Sequence, residues 1–227
     1  MVSEHSPLLS TTDAAGRLGV APSRVRALAK VGRLKGRKVG RQWVFSRDDV
    51  ERRATRGRVV GRPMSPSTAL GLLFELSGEP AGWLDRVSRW KALHSQAAGD
   101  VDLLVARAAR RGARIELRAH SSDLSRIASE PGVVRGGISA ASDHEIGLVA
   151  PGTIELYVDR QRPDALRRRY SLVPSEEPNV VLHAVDLRAA LEGRDVMPLC
   201  VVIVDLLESG EPRAVAAARQ AWQRLPR

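Results

Sequence analysis

The one place where residue spacing suggests catalysis is Gly99-Asp100-Val101-Asp102-Leu103. Two carboxylates two residues apart on a strand point the same way and could hold Mg²⁺. The same residues serve a plainer purpose. Asp100 fits a helix N-cap before LLVARAARR, and Asp102 would sit where a helix dipole favours negative charge. The other chemistry-bearing types do not assemble. His5, His94, His120, His144 and His183 show no HxxxH or HExxH spacing. No Ser-His-Asp arrangement and no GxxxxGK stands out. GVVRGGISAASDHEIGLVAPG is rich in Gly but lacks the strand–GxGxxG–helix order. No catalytic residue, metal ligand or cofactor is therefore assigned.

The residue types that do concentrate are cations. Residues 1–66 hold fifteen Lys/Arg and five Asp/Glu, whereas residues 67–227 hold twenty-one of each. The whole net charge of +10 thus lies in the first 66 residues, the footprint of a polyanion-binding head on a neutral body. The elements that position these cations are short. Ser10 with Asp13 reads as a capping box. Ala14, Ala15 and Leu18 share the face of a first helix that stops at Gly19, with Val20 as a core plug. Pro22 suits the first turn of a second helix. Val25, Leu28 and Ala29 form its buried stripe. Ser23, Arg24, Arg26 and Lys30 fall off that stripe. Gly32 ends the helix. Leu34–Lys38 and Gln42–Phe45 read as two strands around Val39-Gly40-Arg41, a wing carrying Arg37, Lys38 and Arg41. Ser46 with Asp49 would open a further helix through Arg53. Two helices joined by a tight turn, followed by a hairpin, form the unit that places its second helix in a major groove.

The chain therefore divides into a winged helix-turn-helix over 1–56, a basic linker over 57–67 and an α+β body over 68–227. The linker is marked by Gly57, Gly61, Pro63 and Pro66, with Arg58 and Arg62 and, just before it, Arg56. In the body, helical patterns cover 67–77, 80–94 (Trp83, Val87, Trp90, Leu93) and 100–111. Strands are expected at 113–120, 154–160 and 180–186, the last half buried by its alternation. A short capped helix covers 122–129, and residues 130–153 stay unassigned. Pro163, Pro198 and Pro212 each open a helix. The expected body is helices on a small antiparallel sheet. The single Cys200, in LCVVIVDLL, reads as core. MVSEHSPLLSTTD has no signal-peptide pattern, and the longest apolar run, 199–204, is far short of the ~20 residues of a membrane span. A cytoplasmic protein without membrane contact is expected.

Two families are resembled. LSTTDAAGRLGVAPSRVRALAKVGRLKGRKVGRQWVFSRDDV is similar to the excisionase-type, MerR-like winged helix-turn-helix. The resemblance implies groove contacts with double-stranded DNA from Ser23, Arg24 and Arg26, and wing contacts from Arg37, Lys38 and Arg41. Ala21-Pro22 departs from that family's polar N-cap. The body segments GISAASDHEIGLVAPGTIELYVDRQRPDALRRRYSLVPSEEPNVVLHAVD and PLCVVIVDLLESGEPRAVAAARQAWQRL resemble AbiEi-type antitoxins. That resemblance implies a head that binds the operon's own promoter and a body that opposes a toxin, commonly a nucleotidyltransferase. Asp100-Val101-Asp102 itself resembles the nucleotidyltransferase metal pair. However, residues 85–95 lack the glycines that family carries upstream. The expected function is a sequence-specific, autorepressing regulator and antitoxin without catalysis. The alternative is a plain regulator whose body dimerises or senses a small ligand.

Overall fold

The computed structural model describes residues 8–30, 34–40, 42–57, 64–95 and 99–225. Gly32, Arg41, Arg58, Gly61, Arg62 and Pro63 of the expectations above lie outside this set. So do the side chains of Lys30 and Arg56.

In the head, strand β1 (Leu8–Ser10) leads into helix α1 (Thr11–Leu18). Ser10 and Asp13 close the expected capping box. The Ser10 hydroxyl accepts from Asp13 N–H, and Asp13 accepts from Ser10 N–H. Gly19 stops the helix in the left-handed region at φ 63°, which a side chain would resist. Helix α2 (Pro22–Lys30) follows, then β2 (Arg37–Val39), β3 (Gln42–Ser46) and α3 (Arg47–Gly57). The sheet order is β1-β3-β2, antiparallel throughout. The sequence reading missed β1, which is three residues long and carries one inward side chain, Leu9. Leu34 belongs to the core rather than to a strand. Helix α3 continues past Arg53 to Gly57.

Val25, Leu28, Ala14 and Ala15 pack with Phe45 and Val50, as their periodicity requires. Val20 does not plug this core. It is exposed, because the turn after Gly19 carries it outward. Gly36 is held to its identity by space. A Cβ there would meet the buried Phe45 ring at 2.5 Å. Gly36→Ala is expected to destabilise the head by about 1–3 kcal/mol, as overpacking does. Thermal denaturation in a background that keeps Trp43 and carries Trp83→Phe, Trp90→Phe and Trp222→Phe, followed by fluorescence, would read this.

The body begins with α4 (Pro66–Leu76), α5 (Arg86–Leu93) and α6 (Val101–Ala108). A five-stranded sheet follows, built from β4 (Ala113–Arg118), β5 (Val133–Arg135), β6 (Ile154–Asp159), β7 (Val173–Pro174) and β8 (Val180–Val185). Its order is β5-β6-β8-β4-β7. Helices α7 (Leu124–Ala128) and α9 (Pro163–Tyr170) cover one face. Helices α8 (Gly137–Ala140) and α10 (Leu199–Ser209) lie against the other, with α11 (Pro212–Gln223) packed on α10. Because both faces are covered, β8 is buried at all six residues rather than at alternate ones. The sheet is not wholly antiparallel either. β6 and β8 pair in parallel, since α9 lies in the connection between them. β5 and α8 occupy the stretch that the sequence reading left unassigned.

The 80–94 pattern fails as a buried helix face. Helix α5 starts only at Arg86, and Val87 and Trp90 are both 59% exposed. Trp83 sits in the preceding turn. Its ring meets Phe74 edge-on at 4.8 Å, and its Nε1–H donates to Ser67 O. Asp100 is the N-cap of α6, and Asp102 pairs with Arg219 at 2.6 Å. Both acids of the suspected metal pair are thus engaged structurally. No described helix is long and apolar enough to cross a membrane.

Cys200 is fully buried in α10, and burial pushes its thiol up to about 11, against the Ser77 hydrogen bond. The thiolate is the reactive form. Native protein at pH 8 should therefore leave a thiol reagent such as Ellman's unreacted, and one thiol per chain should appear in denaturant. Rapid titration of the native protein would contradict this burial.

Head and body touch. α3 packs on α6, Met64 N–H donates to Arg107 O, and Lys35 reaches Glu116 of β4 at 3.3 Å.

Candidate nucleic-acid interface

Helix α2 turns Val25 and Leu28 into the head and leaves Ser23, Arg24 and Arg26 exposed on its outer side. Ser23 and Arg24 stand in its first turn, where the helix's free N–H groups and dipole add positive potential. The expected departure at Ala21 has a local answer. Its carbonyl accepts from Arg24 and Val25 N–H, so the backbone starts the helix without a side-chain acceptor. Lys30 is the last residue of α2, with its side chain outside the described set.

The wing is a hairpin in which Val39 pairs with Gln42 across Gly40-Arg41. Gly40 has φ +60°, the conformation such a two-residue turn demands. Arg37 and Lys38 are exposed on β2. Lys38 lies over the ring of its cross-strand partner Trp43, 5.6 Å from the centroid. Trp43 in turn stacks on Phe45. The aromatic strand thus ties a wing cation to the head's core. Arg41, at the tip, lies outside the described residues. The structure therefore carries Ser23, Arg24 and Arg26 on one helix, and Arg37 and Lys38 on a wing built against the same core.

A second cluster escaped the sequence reading entirely. Arg111, just after α6, is 2% exposed and lies in the body's interior. Its Nη2 donates to Asp205 and, at 2.8 Å, to Glu208, both on α10. Its Nε donates to the Tyr157 hydroxyl, which donates to Asp205 at 2.7 Å. Gly137 N–H supplies a further donor to Asp205 at 3.0 Å. A Cβ on Gly137 would run into the Glu155 carboxylate. His183 stacks on Tyr157 and hydrogen-bonds Glu155 at 2.7 Å. Burial alone would raise the Glu155 carboxyl. His183, Arg114 and Ile138 N–H together hold it below its usual range. Burial would likewise lower the Arg111 guanidinium, but Glu208, Tyr157 and Asp205 keep it charged.

Ligand-type atoms of Glu155, His183 and Asp205 lie within 4.8 Å of one another, a spacing that could hold a metal ion. In this fold those atoms are already matched. Arg111 supplies the positive charge beside Asp205, and His183 faces Glu155. The cluster is a closed ionic core rather than an open coordination site. One signal was present in the sequence. Asp205 and Glu208 are acids inside an otherwise apolar helix, and such acids need a buried cation.

A winged helix-turn-helix with an exposed cationic helix, joined to a helix-and-sheet body, defines a DNA-binding transcriptional regulator. Residues 8–58 match the family described as a helix-turn-helix domain. Residues 91–225, more than half of the chain, match the family described as transcriptional regulator, AbiEi antitoxin, type IV TA system. The chain belongs to this AbiEi antitoxin family. No curated protein and no solved structure matches it.

Proposed function

We propose that this chain is the autorepressing antitoxin of its own operon. In this reading the module 1–56 reads the promoter and the linker 57–67 follows the DNA backbone. The body 68–227 opposes a nucleotidyltransferase-like toxin and has no catalysis of its own. Ser23, Arg24 and Arg26 face base edges, Lys30 is a further DNA contact, and Arg37, Lys38 and Arg41 hold phosphates. The carrying observation is the exposed cationic side of α2 beside a wing on the same core, joined to a body of the antitoxin family. One head covers a single half-site, and a module of this size buries only about 600–1,000 Å² on DNA. Useful specificity then calls for two copies bound together.

The test has two arms. A reporter under the operon's promoter should be repressed by the full chain and released by Arg24→Ala with Arg26→Ala. Co-expression with the neighbouring gene product should restore growth, with or without those two substitutions. Repression without rescue would favour the plain regulator. Rescue without repression would remove the autorepressor.

A further inference from the structure

Where the α10-facing side of the sheet runs out beyond the end of that helix, it leaves a cavity of about 510 Å³. Loop 147–153 and the start of α11 close its other sides. This volume suits one small organic molecule. Ile138, Leu148, Val149, Val181 and Leu206 supply an apolar wall. Val149 stands 82% exposed on the rim, between Gly147 and Gly152, both at positive φ. An apolar side chain so placed gains by covering a ligand's apolar body.

Four charged residues also line the cavity, Arg114, Glu155, Glu211 and Arg213. Both acids are tied to groups of the protein itself, Glu155 through both carboxylate oxygens and Glu211, an exposed residue, through one only. Glu155 takes His183 and Ile138 N–H. Glu211 takes Ala214 N–H at 2.6 Å and so caps α11. The two cations keep donors to spare. Arg114 has five N–H groups and gives one, to Glu116. Arg213 has no partner among the described residues. It also stands in the first turn of α11, where the positive end of the helix disfavours a cation. An anion between these two groups would relieve that opposition.

We propose that this cavity binds a small amphipathic organic anion. Its apolar body lies on the Leu148–Val181–Leu206 wall, and its anionic group meets Arg114 and Arg213. The test uses the full chain and two fluorescent probes. Anilinonaphthalene sulfonate carries the anion, and phenylnaphthylamine carries the same rings without it. The sulfonate should saturate at one probe per chain and bind at least about tenfold tighter than the neutral probe, the scale of a charge-assisted contact. Arg114→Gln with Arg213→Gln should bring the two affinities together. Ala150→Trp should fill the cavity and block both probes. Trp90→Ala, on the exposed face of α5, should change neither. All these positions are exposed or half-exposed, and far-ultraviolet circular dichroism with a thermal melt would verify that each variant keeps the fold, Arg114→Gln above all because Arg114 also faces Glu155. Equal affinity for the two probes, absence of saturable binding, or binding that follows Trp90 would overturn the proposal.

Discussion

Arg111→Leu should cost the body about 3–5 kcal/mol, the usual loss when one partner of a buried ion pair is removed. The reason is the company the guanidinium leaves behind. Asp205 and Glu208 are both buried on α10, and Arg111 is hydrogen-bonded to each. Without it, two carboxylates remain in a medium that solvates them poorly. Burial already pushes the Asp205 carboxyl up, against the pull of Arg111 and His183. In the variant Asp205 should take up a proton more readily still. An acid whose folded pKa lies above its unfolded value destabilises the fold as pH rises between the two. The variant's deficit should therefore shrink at pH 5 and grow towards pH 8. Urea denaturation at several pH values measures this. Adding Asp205→Leu and Glu208→Leu should recover part of the loss and remove its pH dependence. Full recovery is not expected, because the Tyr157 hydroxyl and Gly137 N–H would lose their acceptor, at about 1–3 kcal/mol for each unsatisfied group. A cost below 1 kcal/mol for Arg111→Leu would show that this network carries little of the fold.

Affinity for DNA should be lost steeply with salt. The net charge of the chain resides in residues 1–66, so binding draws on cations facing phosphates. If about six phosphates are neutralised, affinity falls by about three orders of magnitude between ~50 and ~200 mM salt. Fluorescence anisotropy of a labelled duplex gives the slope directly. Arg37→Ala with Lys38→Ala should lower that slope by roughly two units, one for each lost contact. A flat salt dependence would mean that the exposed cations of α2 and the wing stay away from the backbone.

The head was legible because its information is local. A capping box spans Ser10 to Asp13, a core stripe spans Val25 to Ala29, and a hairpin needs only Gly40 between two short strands. Proline did similar work in the body, where Pro163 and Pro212 each open a helix and Pro198 immediately precedes one, whereas Pro66, read as a mark of the linker, is the first residue of α4. The misses are of another kind. Periodicity made Val87 and Trp90 look buried, yet both stay 59% exposed, and Trp90 meets His94 of its own helix end rather than a core. The alternation of β8 suggested one solvated face, but helices from distant sequence cover both sides. The pairing inside the ionic core was hidden for the same reason, although the two acids of the apolar helix were in plain view. Arg111 and Asp205 are 94 residues apart, and Glu155 and His183 are 28 apart. Only the tertiary fold brings them within hydrogen-bonding distance. Asp100 and Asp102 show the converse. Their spacing allowed a metal pair or a helix start, and the fold bears out the helix start, with Asp100 as the cap of α6 and Asp102 in its first turn and in an ion pair.

The central claim is that α2 reads sequence and the wing holds the backbone. The most direct test compares full-length Arg24→Ala/Arg26→Ala with full-length Arg37→Ala/Lys38→Ala, each titrated against the operon promoter and a scrambled duplex at one salt concentration. The α2 variant should lose roughly 1–3 kcal/mol per base contact on the promoter alone, so its preference over scrambled DNA collapses. The wing variant should weaken both duplexes by the same factor and keep the preference. Equal losses on both duplexes from the α2 variant, or loss of preference from the wing variant alone, would contradict the assignment.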